Sequence, residues 1–225
     1  MCGRYSLEIT APALQERFEI EGDLPAMPAR YNVAPTQTMP VVVHHSPHSV
    51  ELMRWGLIPF WAKDASVGSK MINARAETVA IKPAYRKALA THRCLVPASG
   101  FYEWQRSDRG AKVPYWIFCT DEPLFAFAGL HAAWKSPQDE WIHSYTIITT
   151  EANEVVAPIH NRMPVILERE DEAVWLDPDQ TEAERLLPLL RPYPSARMDA
   201  YAVSRRVNNP AFDTADLIKP EVNSK

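Results

Sequence analysis

Proline outnumbers glycine 20 to 7 along the 225 residues, and this ratio constrains the fold more than any other feature of the sequence. Proline fixes φ, removes a backbone donor and breaks helix interiors. So many prolines with so few glycines favour many short strands joined by rigid connections over long helices. The hydrophobic runs agree. Val, Ile, Phe, Tyr and Trp concentrate in stretches that read as strands at 39–43, 50–57, 94–104 (with a bend at Gly100), 114–120, 124–134, 143–150, 162–167 and 201–204. Short helices are expected from Thr10-Ala11-Pro12-Ala13, with Leu14 and Phe18 inward, and at 83–90, at 151–157 ending before Pro158, and at 182–190 interrupted at Pro188. Loops are expected at 21–30, at 45–48, at 62–70 and at 105–112, the last as a polar hairpin connection. Residues 168–184 carry eight carboxylates and one arginine and read as a solvated acidic face. The sum is an α+β protein with a mainly antiparallel β core and short peripheral helices. It forms one domain over 1–218, with a loose tail over 219–225.

Composition excludes several classes. Hydrophobic residues at 46% and charged residues at 23% suit a globular core, and a net charge of −4 leaves no bulk basic field for nucleic acid. Any such binding must come from a local patch. Three cysteines, Cys2, Cys94 and Cys119, are too few and too scattered for a disulfide framework or a zinc site. Cys94 and Cys119 lie in apolar runs and read as buried, inert thiols. No apolar run approaches a membrane span, and no signal-peptide core is present. A soluble protein in a reducing, cytoplasmic setting is expected.

Chemistry concentrates in four polar segments flanked by apolar sequence. The first is Cys2-Gly3-Arg4. Removal of Met1 would give Cys2 a thiol and a free α-amine on one residue, a 1,2-aminothiol. Such a group condenses with an aldehyde to a Schiff base, and the sulfur then closes a thiazolidine ring. Reference pKa values of about 8.5 for a thiol and about 7.7–8.0 for an α-amine leave part of the amine neutral at pH 7. Arg4 is expected to lower both further. In Gly100-Phe101-Tyr102-Glu103-Trp104, rings beside Glu103 would desolvate it and raise its pKa. In His160-Asn161-Arg162-Met163-Pro164, His160 is suited to acid–base work. Asn73-Ala74-Arg75-Ala76-Glu77 offers an amide and a guanidinium, and Arg75 and Arg162 suit phosphate or carboxylate. Read singly, each has an ordinary alternative: a thiol in a frayed terminus, a strand glutamate facing solvent, a structural histidine, arginines paired with Glu77.

Together with Tyr31-Asn32-Val33-Ala34-Pro35 and Trp55-Gly56-Leu57-Ile58-Pro59, these segments resemble the SOS-response-associated peptidase family, the abasic-site shields of bacteria and eukaryotes. The resemblance runs in order from residue 1 to about residue 210. It implies a protein that binds single-stranded DNA, or a single/double-strand junction, at an abasic deoxyribose and crosslinks to it through Cys2 after removing its own Met1. It implies Cys2 as nucleophile, Asn73 orienting cysteine and sugar, Glu103 moving protons and His160 assisting the sugar chemistry. Arg4, Arg75 and Arg162 are then expected on flanking phosphates, and Phe60-Trp61 as a wedge that stacks on a base. Lys63, Lys70, Arg86, Lys87 and Arg93 are further cations for the phosphate path, unplaced by sequence. The expected partner is DNA, with no membrane, no cofactor and no metal, and the protein acts as a monomer that joins the nucleoid when bound.

Three rival readings remain at this point. One is an amidohydrolase with an N-terminal cysteine nucleophile, as in glutamine amidotransferases, which also begin Met-Cys-Gly. A second is a noncatalytic reader of modified DNA bases. A third is a peptidase acting on other proteins.

Overall fold

The structure, a computed structural model, describes residues 2–22, 24, 27–44, 48–106 and 110–221. Among these residues twelve strands are defined: β1 (Tyr5–Leu7), β2 (Arg30–Val33), β3 (Thr38–Val43), β4 (Ser49–Trp55), β5 (Asn73–Arg75), β6 (Arg93–Ala98), β7 (Gly100–Arg106), β8 (Lys112–Cys119), β9 (Phe125–Lys135), β10 (Trp141–Glu151), β11 (Arg162–Pro164) and β12 (Met198–Ala202). Helices are few and short: α1 (Ala11–Phe18), α2 (Pro83–Thr91), α3 (Arg169–Leu176) and α4 (Ala183–Leu186). This is the α+β architecture that the proline content favours.

The strands make two sheets. One runs β12-β8-β7-β1-β2, antiparallel throughout. In the other, β10-β4-β3-β6-β9 closes on itself because β9 also pairs with β10, giving a small barrel. β10 is long enough to hold several partners in turn. β9 and then β11 lie along one edge, β4 and then β5 along the other. The main core holds Tyr5, Trp55, Phe101, Phe125, Phe127 and Tyr145. A second cluster of Tyr102, Trp116, Val203, Val207 and Leu217 covers the other face of the first sheet.

Several expectations need correction. The stretch 94–104 is two strands in different sheets, because the chain turns a corner at Ser99, whose N–H donates to Ser6 O at 2.8 Å. Gly100 permits this corner: a Cβ there would lie 2.4 Å from Trp116 Nε1. Residues 151–157 do not form a helix. Asn153 Oδ1 accepts from Val156 N and diverts the backbone into a string of turns over 154–159. The strand read at 162–167 stops at Pro164, and residues 65–70 of the expected loop form a 3₁₀ helix. The acidic stretch is not simply solvated. Glu172 is buried on Arg17, and Glu168 and Asp171 bind Arg191. The expected loose tail is tied down as far as Glu221, whose N–H donates to Ala202 O at 2.8 Å. Residues 45–47 and 107–109 of the expected loops, and 222–225 of the tail, lie outside the described residues. Among the described residues no helix is long and apolar enough to cross a membrane.

Candidate active site

β1 is three residues long, yet it sits inside the first sheet between β7 and β2. Its pairing with β7 (Tyr5 with Phe101) extends outward, since Tyr102 N donates to Arg4 O at 2.9 Å. The same register brings the chain start alongside Glu103. Cys2 is fully buried, with Sγ 3.9 Å from Arg4 O. Burial, and secondarily the Glu103 carboxylate, push the thiol well above its usual range. The expected lowering by Arg4 does not occur. Its Nη1 donates to Asn32 Oδ1 at 2.7 Å and to Val207 O at 2.8 Å, away from the sulfur.

Strand alternation explains the position of Glu103. Tyr102 and Trp104 belong to the outer cluster, where Tyr102 OH donates to Tyr31 O and Trp104 Nε1 to Asn208 Oδ1. Glu103 faces the other way and is 3% exposed. Its pKa is raised by burial, as expected, but the neighbouring rings are not the agents, because they lie on the opposite face. His160 follows the 154–159 turns. Its Nδ1 is 3.8 Å from Glu103 Oε1, 3.0 Å from Arg162 N and 3.1 Å from Arg162 O. A neutral Nδ1 accepts from that N–H; a protonated one donates to the carbonyl or the carboxylate. Both protonation states therefore have a partner, which suits a proton carrier.

Arg162, on β11, grips the Glu77 carboxylate with both terminal nitrogens and donates from Nη2 to Thr149 O at 2.6 Å. This pairing holds the Glu77 carboxyl below its usual range. β5 runs parallel to β10, with Asn73 opposite Ile147 and Arg75 opposite Thr149, so Asn73 and Arg75 share a face. Asn73 Oδ1 is buried and among the described residues has no hydrogen-bond partner. Arg75 is exposed, and its charge reaches Glu77. The structure thus links Cys2, Glu103, His160 and Arg162 in sequence, with Asn73 and Arg75 joined through Glu77 and β10. Phe60 and Trp61 stand apart at 71% and 54% exposed. They line a separate cavity of 290 Å³ with Pro83, Lys87 and Trp141. Arg93 drops out of any phosphate path, because it is buried and donates to carbonyls at the ends of α2 and α3.

A cavity of 510 Å³ opens where β7 runs past the end of β1. It is lined by Glu103, Trp104, Arg106, Lys112, His160 and Asn161, with the 157–159 turn as its far wall. Its size lies within the range of small-molecule sites. Cys2 lies behind Glu103 rather than on this wall. A larger cavity of 750 Å³ beside α1 contains neither cysteine nor histidine. Sequence reading missed Arg106 and Lys112, which it placed in a loop, and the buried hydroxyl pair of Tyr5 and Tyr145, 2.8 Å apart in the core. Only the strand register, Arg106 opposite Lys112, brings the two cations together. Among the described residues no cluster of His, Cys, Asp or Glu is fit to hold a metal ion.

The model of the SOS response associated peptidase (SRAP) family matches residues 1–210. The chain belongs to this family. Among SRAP relatives it is similar to the abasic site processing protein YoqW of Bacillus subtilis, 45% identical over 222 residues, which are 97% of this chain and 99% of the relative. The abasic site processing protein HMCES of Gallus gallus is 36% identical over 193 residues, 75% of this chain and 56% of that longer protein. A crystal structure of a protein from Bacteroides thetaiotaomicron superposes with a TM-score of 0.89 at 29% identity, covering 98% of this SRAP chain and all of the other.

Proposed function

We propose that this SRAP protein processes abasic sites in DNA by crosslinking Cys2 to the opened sugar. The observation that carries this reading is the adjacency of Cys2, Glu103 and His160 beside an open cavity. Relatives named abasic site processing proteins over nearly the whole chain support it. The partner is single-stranded DNA or a single/double-strand junction bearing the lesion, and the protein acts as a monomer.

The chemistry follows from the residues. Hydrolysis of the Met1–Cys2 peptide bond consumes one water and frees the Cys2 α-amine, with no protease acting in trans. An abasic sugar is mostly a closed hemiacetal, so an acid–base group must open it, and Glu103 takes that role in the scheme. The amine adds to the C1′ aldehyde and expels water, forming the Schiff base. Sγ then attacks the same carbon. The S–C bond forms, the thiol proton leaves through Glu103, and the nitrogen becomes the amine of a thiazolidine. Attack by the sulfur of the same residue is intramolecular, where effective molarities of about 10⁵ M or more operate. Ring closure also removes the iminium that would drive strand scission. His160 passes protons at the sugar, Asn73 orients the reactants, and Arg75 holds a flanking phosphate. Arg4 and Arg162 assist with the N–H groups their protein partners leave over. Phe60 and Trp61 stack on a base outside the reacting centre.

Intact-mass spectrometry tests the scheme. The purified protein should lack the mass of Met1, and with abasic single-stranded DNA it should gain the oligonucleotide mass less one water. A heat-resistant adduct formed by Cys2→Ala would refute it.

A further inference from the structure

Several arginines on this surface are already committed. Arg162 is held by Glu77 and Thr149 O, Arg30 by Asp213, Arg197 by Asp121 and Glu168, and Arg206 by Asp216. Arg106 and Lys112 differ. They face each other across the last pair of the β7–β8 ladder, both are exposed, and among the described residues neither makes an ion pair. Like charges directly opposite on paired strands destabilise the pair. Among the described residues these two cations have no acid to answer them, and they lie together on the wall of the cavity that holds Glu103 and His160. The bare edge of β7 runs between the two sites, and Gln105 Nε2 braces it by donating to Pro158 O at 3.0 Å. A strand whose sugar sits at Glu103 would carry its next phosphate along this edge.

We infer that Arg106 and Lys112 clamp one backbone phosphate adjacent to the abasic sugar. This rests on the abasic-site reading above and adds to it a contact that fixes the sugar's register over Glu103. The ligand group is a phosphodiester oxygen pair. The guanidinium offers a planar fork to it and the ammonium a point charge.

The test is a phosphate scan. Single neutral methylphosphonates are placed one at a time around the lesion of an abasic single strand, and noncovalent affinity is measured in a Cys2→Ala background. One position beside the lesion should cost about tenfold, the scale of a charge-assisted contact. Adding Arg106→Gln with Lys112→Gln should cost about the same and abolish sensitivity at that position. It should also reduce the slope of log K against log salt by about 0.7, one phosphate's share on a single strand. Arg106→Lys with Lys112→Arg should restore most of the affinity and melt with the parent, while the double Gln variant, relieved of the like-charge pair, should melt at or slightly above it. An unchanged scan and slope in the Gln variant would overturn the clamp. Failure of the wild-type protein to form any crosslink by mass spectrometry would instead overturn the abasic-site reading, so the two failures are distinguishable.

Discussion

Replacing Glu103 with Gln should slow crosslinking and stabilise the protein, and the two effects have separate physical origins. A positioned acid–base group contributes about 10²–10⁴-fold to a rate, so Glu103→Gln should reduce the single-turnover crosslinking rate by that range. An electrostatic role alone predicts the opposite sign. The carboxylate raises the pKa of the Cys2 thiol, so neutralising it would make the sulfur more nucleophilic and speed ring closure. Stability follows from burial. The folded carboxyl keeps its proton to higher pH than the unfolded chain, whose glutamates titrate at about 4.3. Between the ordinary value and the raised one, the native state binds more protons, so stability falls as pH rises through that window and then levels off. Each pH unit of that window costs about 1.4 kcal/mol. For a chain of this size, each kcal/mol lowers Tm by about 2–4 °C. Gln does not titrate. The variant should therefore melt above wild type at pH 7.5 and level with it below pH 4. The assays are quenched-flow crosslinking to an abasic oligonucleotide and calorimetry across pH 3.5–8. A variant that crosslinks as fast as wild type, or a Tm difference that does not change with pH, would refute the reasoning.

Other substitutions test the frame around the site. Asn73→Ala removes a buried acceptor that has no partner among the described residues. Its Tm should stay within the shift expected for about 0.5 kcal/mol, while crosslinking falls by roughly a hundredfold through misplaced reactants. Gly100→Ala drives a methyl into Trp116, which is held by Ser6 Oγ at 3.0 Å and stacked on Phe118. Overpacking of about 1–3 kcal/mol should appear as a lower urea midpoint. Glu172→Ala strips Arg17 of its bidentate partner and leaves Glu122 to answer the buried charge. The loss should be about 3 kcal/mol in urea unfolding, and Arg17→Met in the same chain should recover most of it.

The fold was legible where local chemistry decides it. Proline in the first turn of α1 and of α2, β-branched residues in β3 and the aromatic and β-branched run of β8 all commit their segments without help from the rest of the chain. It was not legible where a distant partner decides. Ser99 turns the corner because Ser6 accepts its N–H, and residues 154–159 stay coiled because Asn153 is fixed by Tyr193 O at 2.7 Å. The barrel closure depends on β9 pairing with both β6 and β10, which no periodicity reports. The site divides the same way. Cys2, Glu103 and His160 stand in recognisable segments, but the partial engagement of Arg4 and Arg162 by protein partners, and the pairing of Arg106 with Lys112, depend on strand register.

The buried thiol also bears on the order of the reaction. A cysteine poised to attack first would need an acidic thiol, and Arg4 was expected to provide it. Burial and the Glu103 carboxylate do the reverse. A thiol held protonated is a poor nucleophile toward a free aldehyde, whereas the α-amine needs no such activation near neutral pH. In the proposed scheme the amine therefore reacts first. The iminium it forms is a far stronger electrophile, and its positive charge beside Cys2 favours the thiolate that closes the ring. On the proposed scheme, an environment that keeps the sulfur inert until nitrogen has marked the lesion would guard against stray oxidation and against addition to other carbonyls. It predicts that Cys2→Ser should accumulate a borohydride-trappable Schiff base on abasic DNA, while wild type shows little trapping because ring closure follows at once. Absence of trapping with Cys2→Ser would mean that the sulfur acts before the amine, and equal trapping in both proteins would mean that no ring closure follows the Schiff base.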